Sequence, residues 1–216
     1  MHLRYKRPRR HVSAAHRVER PLASRPNESW SMDFVSDGLF DGRRLRPLTV
    51  IDNFTRECPA IEVAQGITGK RVVEVPEDTS DRRGLPERIF LDNDPEFVSK
   101  TLDLWAYKNG VTLDFSRPGK PTNNAMIESF NGRFRDECLN VNWSLSLEDA
   151  RAKVKNWRQN YNDSRPHYSL GDQTPRHSPD ATWSKPCGGP STRPNLLTNW
   201  PEPIRVNLQR VPHLTL

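Results

Sequence analysis

Residues 30–35 read Trp-Ser-Met-Asp-Phe-Val, and this stretch decides the fold class. Its apolar side chains first alternate with small or polar ones and then run together, as in a strand buried within a sheet. One carboxylate, Asp33, stands inside the stretch among apolar neighbours. The sequence therefore predicts a buried strand that carries an acidic group.

Four further strands and four helices follow this first strand. The further strands are predicted over residues 45–51, 58–63, 88–91 and 111–115. The helices are predicted over residues 68–83, 97–108, 124–139 and 147–161. Gly38 and Asp41-Gly42 indicate a hairpin between the first two strands. Three strands, then alternating helices and strands, then helices predict an α/β fold with a five-stranded sheet of mixed direction flanked by helices.

The first two helices carry particular expectations. Pro76 falls in the middle of the helix over 68–83, where a lost hydrogen bond and a steric clash cost ~3 kcal/mol. We therefore expect Pro76 to break that helix. In the next helix, Phe97, Leu104 and Trp105 are expected to face the core, and Asn109-Gly110 to end it.

The helix over 124–139 has two faces. Its apolar stripe consists of Ile127, Phe130, Phe134 and Cys138. A polar stripe, offset by one residue or ~100°, consists of Asn124, Glu128, Asn131 and Arg135. The last helix begins after Ser146, a good N-cap residue.

Composition excludes several classes of protein. The apolar share is 34%, and no apolar run approaches the ~20 residues that span a bilayer. The basic N-terminus has no apolar stretch behind it, so a secretory signal is not expected. Three widely spaced cysteines form neither a disulfide framework nor a paired zinc site. There is neither a Gly-x-Ser-x-Gly motif nor a phosphate-cradling glycine-rich loop, so a serine hydrolase or P-loop NTPase has no support. The expected compartment is the cytoplasm.

The positive charge is concentrated at the N-terminus. The net charge is +6, yet residues 1–25 hold eight arginines and lysines, including Arg7, Arg9 and Arg10, against one glutamate. Such an arm usually contacts a polyanion, most often nucleic acid, and otherwise is a solvated tail. Periodicity is also lost in a proline-rich tail near the C-terminus. We therefore divide the chain into a basic arm (1–27), a core domain (28–180) and a Pro-rich, mobile tail (181–216).

Three carboxylates stand out by their position in this architecture. Asp33 lies in the first strand, Asp92 ends the fourth strand, and Glu128 lies on a helix. Reactive groups gather at the carboxyl edge of such a sheet, and a site made of oxygens alone suits Mg²⁺ or Mn²⁺. Each residue also has a structural interpretation: Asp33 bonded to a turn backbone, Asp92 opening an Asx turn, and Glu128 on a solvated face.

Several motifs resemble the integrase catalytic core of OrfB-type insertion-sequence transposases, within the DDE transposase and retroviral integrase superfamily. The resemblance covers roughly residues 4–180. The motifs are Trp30-x-x-Asp33, Asp92-Asn93-x-Pro-Glu-Phe97, Arg-Pro-Gly-Lys-Pro-Thr at 117–122, Asn-Ala-x-Ile-Glu-Ser-Phe-Asn-Gly at 124–132, Asp-Glu-Cys-Leu at 136–139 and Tyr-Asn-x-x-Arg-Pro-His at 161–167.

This resemblance implies an RNase H-like fold and metal-dependent DNA cleavage followed by strand transfer. It implies two Mg²⁺ or Mn²⁺ ions, with Asp33 bridging both and Asp92 and Glu128 each completing one site. DNA is the expected partner, a homo-oligomer on DNA the expected assembly, and the nucleoid the expected location. Full-length relatives carry helix-turn-helix material upstream, so a partner from an upstream reading frame is expected to supply it.

Basic and amide side chains near Glu128 are candidates for DNA backbone contact. They are Lys120, Asn124, Asn131 and Arg135, in addition to Arg7, Arg9 and Arg10 of the arm. Arg165 and His167 are open to two interpretations, DNA contact or packing.

Some residues depart from the family pattern. Asp94 stands where the family usually has Gly, adding a negative charge, and Asn123 stands where Asp is common. With Pro76 and the start of the chain inside the family sequence, they leave an alternative open: an inactive, truncated remnant that only binds DNA. A non-recombining RNase H-like nuclease is a weaker third possibility, because the motif at 120–132 resembles transposases specifically.

Overall fold

The computed structural model describes residues 22–116 and 125–177, and its sheet is built around β1 (Ser29–Phe34). This strand pairs antiparallel with β4 (Leu48–Asp52) and parallel with β6 (Arg88–Leu91). β5 (Ala60–Glu62) pairs antiparallel with β4, and β7 (Thr112–Phe115) pairs parallel with β6. The strand order β5-β4-β1-β6-β7 confirms the predicted five-stranded mixed sheet.

A short hairpin precedes β4, as its glycines predicted. β2 (Asp37–Gly38) pairs antiparallel with β3 (Arg44–Leu45) in a separate two-stranded sheet. Leu45 therefore belongs to the hairpin, and the predicted strand over 45–51 begins three residues later, after Pro47.

Within the described residues, four helices cover the two faces of the large sheet. They are α1 (Gly69–Arg83), α2 (Lys100–Asn109), α3 (Ala125–Phe134) and α4 (Leu147–Asp163). α3 continues into a π-helical turn at Arg135–Leu139. One buried core joins α1 and α2 to the sheet, and a second joins α3 and α4 to its other face. All four residues of the predicted apolar stripe on α3 and its extension are buried.

Local capping explains where the helices begin. The side chains of Thr68, Ser99 and Ser146 each accept a hydrogen bond from a backbone N–H in the first turn of α1, α2 and α4. These bonds satisfy donors that have no partner within the helix. α2 ends at Gly110, whose φ of 67° lies in the left-handed region that glycine adopts freely.

The expected break at Pro76 was wrong. α1 runs without interruption from Gly69 to Arg83, and Pro76 is buried on its inner face beside Val72 and Val75. Burial of the apolar ring against the core offsets the missing hydrogen bond, so tertiary packing overrides the local preference.

The expectation for Leu104 was also wrong, since this side chain is 53% exposed. Phe97 is buried but precedes the helix. Counting the helical repeat from Phe97 therefore assigns the wrong residues of α2 to the buried face. The inner face of α2 instead consists of Leu102, Trp105 and Ala106.

The arm over 1–27 lies outside the described residues except for its last six positions, and the tail over 181–216 lies outside them entirely. In the part of the chain that the structure describes, no helix combines the length and hydrophobicity needed to cross a bilayer.

Candidate active site

Asp33 and Asp92 lie at the same edge of the large sheet. β1 and β6 are parallel, and their register aligns Ser29 with Arg88 and Ser31 with Phe90. Continued by two residues, the same register would bring Asp33 beside Asp92, the residue that directly follows β6. The charge on Asp92 accordingly raises the pKa of Asp33. The structure thus brings the first two predicted carboxylates together.

The Asp33 carboxyl is half-buried and bonded at both oxygens. Oδ1 accepts a hydrogen bond of 2.8 Å from the backbone N–H of Phe34, and Oδ2 accepts one of 2.8 Å from Nδ2 of Asn131. Burial raises the pKa of Asp33 to about 6 despite these two bonds, and the charges of Asp92 and Asp94 add to the rise. Each bonded oxygen keeps a second lone pair for another ligand.

Asn131 connects α3 to two strands. The hydroxyl of Thr49, the β4 residue paired with Asp33, lies 2.9 Å from Oδ1 of Asn131 and 3.0 Å from the Asp33 carbonyl oxygen. It donates to one of these acceptors at a time. Thr49 is fully buried, so the Asn131 amide is held at one end and bonded to Asp33 at the other.

Glu128 lies in the first turn of α3 and is exposed. It precedes Asn131 by three residues, so the two Cβ atoms lie about 5–6 Å apart on one side of the helix. Because Asn131 touches Asp33, this side of α3 faces the edge of the sheet that carries the two aspartates. No donor from the described residues bonds to the Glu128 carboxylate.

Asp92 forms the Asx turn that was its alternative interpretation. Its Oδ1 accepts a hydrogen bond of 3.1 Å from the backbone N–H of Asp94. Burial raises the pKa of Asp92, with contributions from the charges of Asp94 and Glu96, whereas Arg46 opposes the rise. Asp94 does not have a positive φ, so this turn does not need the glycine that is usual in the resembling family.

Arg46 pairs with the additional carboxylate at Asp94. Its Nη2 lies 2.6 Å from Oδ2 of Asp94, and its Nη1 bonds to Oε1 of Glu96. The guanidinium lies 4.1 Å from the centroid of the Phe34 ring, which stacks on Phe97 at 4.8 Å. One arginine thus pairs with two carboxylates of the loop that follows Asp92 and attaches this loop to Phe34, the residue after Asp33.

The donor set at this edge fits a hard divalent cation. Carboxylate oxygens are the ligands that Mg²⁺ and Mn²⁺ favour, and raised pKa values at Asp33 and Asp92 are what a nearby cation would reverse. In residues 22–116 and 125–177, however, no three acidic, histidine or cysteine side chains lie together as a metal-binding group. Asp33 and Asp92 lie at this edge, and Glu128 is the third candidate, on the adjacent helix.

The predicted DNA contacts are only partly described. Asn131 points into the protein, at Asp33 and Thr49, and Arg135 is exposed with Nη1 donating to the carbonyl oxygen of Ser36 at 3.1 Å. The other predicted contacts lie outside the described residues: Lys120, Asn124, Arg7, Arg9 and Arg10, together with the departure at Asn123.

Two site residues were missed by the sequence analysis. Thr49 left a weak signal, as a polar residue within the otherwise apolar run Leu48–Ile51. Arg46 left none, because a single arginine near the start of the predicted strand over 45–51 does not indicate a partner. Its role depends on pairing with a segment 48 residues away in the sequence.

Comparisons with known proteins identify the family that this chain resembles. Models of the family described as integrase core domain match residues 23–121 and residues 109–175. A 31.7 kDa protein of insertion element IS407 from Burkholderia multivorans is 50% identical over 159 residues, covering 74% of this chain and 57% of the relative. A 39.2 kDa protein of insertion element IS476 from Xanthomonas euvesicatoria is 48% identical over 149 residues, covering 69% of this chain and 43% of the relative. The chain thus spans about half the length of these relatives.

Solved structures confirm the fold. A chain of the simian T-cell lymphotropic virus intasome in complex with PP2A regulatory subunit B56 gamma aligns with a TM-score of 0.64 at 17% identity, covering 81% of this chain and 60% of that one. The HTLV-2 integrase catalytic core domain in complex with magnesium aligns with a TM-score of 0.59 at 15% identity, covering 72% of this chain and 97% of that one. The mixed sheet flanked by helices is therefore RNase H-like. With the matching core-domain models and the insertion-element relatives, it follows that this chain belongs to the insertion-sequence transposases with an integrase catalytic core.

Proposed function

We propose that this chain is the catalytic core of a transposase that cleaves DNA and transfers the cut strand, using two Mg²⁺ or Mn²⁺ ions. The observation that carries the proposal is the convergence at one sheet edge. The strand register, continued past the end of β6, supports a position of Asp33 beside Asp92, and the Asn131 hydrogen bond turns the Glu128 side of α3 toward Asp33.

In this mechanism Asp33, Asp92 and Glu128 are the residues that would hold the ions. When bound, the ions would neutralise charge on the attacking and leaving oxygens of an in-line phosphoryl displacement. The protein contributes position: Asn131 and the Phe34 N–H orient the Asp33 carboxylate, and the Asx turn orients Asp92. No covalent bond between protein and DNA is needed.

The proposal extends to the partners of the whole protein. DNA is both substrate and target, and joining two element ends requires two active sites, hence a homo-oligomer. The solved relatives include an intasome and a trimeric core domain, which supports assembly of this kind. Location on the nucleoid and a helix-turn-helix partner from an upstream reading frame remain predictions.

A branched DNA that mimics the strand-transfer product tests this function, because resolving it should require the core domain alone. We expect metal-dependent product from the wild type and none from Glu128→Gln. Glu148→Gln is the matched control, since Glu148 is also exposed in the first turn of a helix, α4. Equal product from Glu128→Gln and Glu148→Gln would contradict the assignment of Glu128.

The inactive remnant predicts a different result in the same assay. The wild type would bind the DNA and give no product with either metal. The variant Asp94→Gly then shows whether the additional carboxylate causes the inactivity. Activity restored by this variant would identify Asp94 as the defect. Because Asp94 is paired with Arg46 and its turn does not need a positive φ, we expect the wild type to be active without this change.

A further inference from the structure

The side of α3 that faces away from Glu128 carries a second group of charges. At 100° per residue, Met126 and Arg133 share one flank of the helix, while Glu128 and Asn131 share the other. The buried residues of α3, Phe130 among them, separate the two flanks. The helix is about 10 Å wide with its side chains, so the two groups are distinct sites on one element.

Arg56 reaches the Met126 flank from the loop between β4 and β5. Its guanidinium donates to the Met126 sulfur and is half-buried, and burial lowers its pKa. Within residues 22–116 and 125–177 it forms no ion pair. A half-buried guanidinium with a thioether as its side-chain partner has no directly paired anion, although the charge of the nearby Asp52 acts on it.

The backbone at Arg56 is unusual as well. Its φ is 62°, in the left-handed region that non-glycine residues seldom adopt. Several hydrogen bonds hold the loop. Among them, the Arg56 N–H donates to the Asp52 carbonyl oxygen at 3.0 Å, and the Asn162 side chain forms two bonds of 2.9 Å with the Cys58 backbone. Strain of this kind concentrates at functional sites, where the surrounding structure over-determines it.

Two more arginines, Arg133 and Arg165, belong to the same group of charges. They accompany the motif at 161–167, which has no role in the proposed function. Arg133 is exposed on α3 and forms no ion pair within the described residues, while Arg165 pairs with Glu137. His167 is 6% exposed, packs edge-on against Tyr161 at 5.0 Å, and its Nε2 has no hydrogen-bond partner among the described residues. The charges of Arg56, Arg133 and Arg165 all disfavour protonation of His167.

We propose that Arg56, Arg133 and Arg165 form a phosphate-binding site that holds a DNA backbone phosphate on the flank of α3 opposite Glu128. The inference rests on the proposed function, which makes DNA the partner. Guanidinium groups match phosphate oxygens in pairs and are weakly hydrated. The three arginines outnumber the two carboxylates that act on them, Glu137 and Asp52, so the cluster favours a phosphodiester. His167 stays neutral beneath the cluster and adds no competing charge.

The test measures binding of the full chain to a duplex oligonucleotide of arbitrary sequence, in EDTA, across a series of salt concentrations. Arg56→Gly removes the guanidinium and suits the left-handed backbone, while Arg133→Ala changes an exposed residue, so both variants should fold. For the double variant we expect weaker binding that is uniform across sequences, and a salt slope smaller by about one unit per lost phosphate contact. Arg82→Ala, an exposed arginine on α1, is the matched control and should retain the wild-type slope.

Wild-type affinity and slope in the double variant would overturn the inference, as would equal losses in Arg82→Ala. Because the measurement excludes metal, its result is independent of catalysis. If the double variant shows the reduced slope and the wild type makes no product from branched DNA, the phosphate site stands and the catalytic proposal fails. If the wild type makes product and the double variant binds DNA normally, the catalytic proposal stands and the phosphate site fails.

Discussion

Asn131 on α3 donates a hydrogen bond of 2.8 Å from Nδ2 to Oδ2 of Asp33 on β1. The two residues are 98 positions apart in the sequence, and the bond joins the helix that carries Glu128 to the strand at the centre of the sheet. Thr49 fixes the other end of the amide. Asn131 is therefore a positioning residue for the proposed metal site, acting through Asp33.

Replacing Asn131 with alanine should impair catalysis more than folding. Without the amide, the Asp33 carboxylate loses one of its two hydrogen bonds. Removing such a bond from a metal ligand typically lowers metal affinity or activity by roughly 10–100-fold. We expect the Mn²⁺ concentration for half-maximal product from branched DNA to rise by about tenfold. A titration of Mn²⁺ against product yield measures this.

Ser129→Ala is the control for Asn131→Ala, because Ser129 is exposed on the same helix. It should retain the wild-type metal requirement. If Asn131→Ala lowers the thermal stability but leaves the Mn²⁺ dependence unchanged, Asn131 is a structural residue and has no part in positioning Asp33.

The Arg46–Asp94 pair should show energetic coupling in a double-mutant cycle. Arg46→Met leaves two neighbouring carboxylates, Asp94 and Glu96, without their cation, and Glu96 already has an unpartnered buried Oε2. The loss should be smaller when Asp94 is already glycine. We expect a coupling free energy of about 0.5–1 kcal/mol from urea unfolding, modest because both side chains are about one-third exposed. Additive effects of Arg46→Met and Asp94→Gly would show that the pair contributes nothing to stability.

Arg83 should contribute more to stability than any exposed arginine of α1. Its Nη2 lies 2.9 Å from Oδ2 of Asp52, whose side chain is fully buried. Removing one partner of a buried ion pair costs about 3–5 kcal/mol. Because Asp52 keeps hydrogen bonds from the backbone N–H groups of Asn27, Phe54 and Thr55, we expect a cost near the lower end of this range. We expect Arg83→Met to lower the free energy of unfolding by about 3 kcal/mol.

The neighbouring Arg82 provides the comparison for Arg83. It is exposed, so Arg82→Met should change the free energy of unfolding by less than about 0.5 kcal/mol. Chemical denaturation of both variants measures the difference. Similar losses in the two would mean that Asp52 is stabilised by its backbone donors alone.

The fold was predictable because its elements follow local patterns. Alternation around Met32 and the apolar stripe through Ile127 and Phe130 predict buried faces whichever way the elements pack. Pro76 and Leu104 were misjudged for the opposite reason. The effect of Pro76 depends on the core that buries its ring, and the phase of α2 depends on the cap at Ser99.

The candidate site was predictable only in its carboxylates. Asp33, Asp92 and Glu128 lie in motifs, whereas the roles of Arg46, Asn131 and Thr49 arise from contacts between distant segments. Asn131 was predicted to contact the DNA backbone because the helical periodicity shows that it lies on the polar stripe of α3. The periodicity does not show which residue it bonds to, so the hydrogen bond to Asp33 could not be predicted.

His167 should make the stability of the fold depend on pH. Burial, followed by the charges of the surrounding arginines, lowers the pKa of His167 from 6.5 to about 4, so the folded state holds it neutral. The charged groups around it are Arg133, Arg165, Arg56 and Glu137. The unfolded chain takes up a proton near pH 6.5 and the folded chain does not. The contribution to stability is therefore present above that pH and declines as the pH falls from 6.5 towards 4.

His167→Gln isolates this effect from the titration of carboxylates, because glutamine stays neutral throughout. Between pH 7 and pH 5, roughly, we expect the free energy of unfolding of the wild type to fall by about 1–2 kcal/mol more than that of His167→Gln. Urea unfolding at a series of pH values measures both curves. Parallel curves for the two proteins would mean that His167 titrates alike in the folded and unfolded states, and that the three arginines do not hold it neutral.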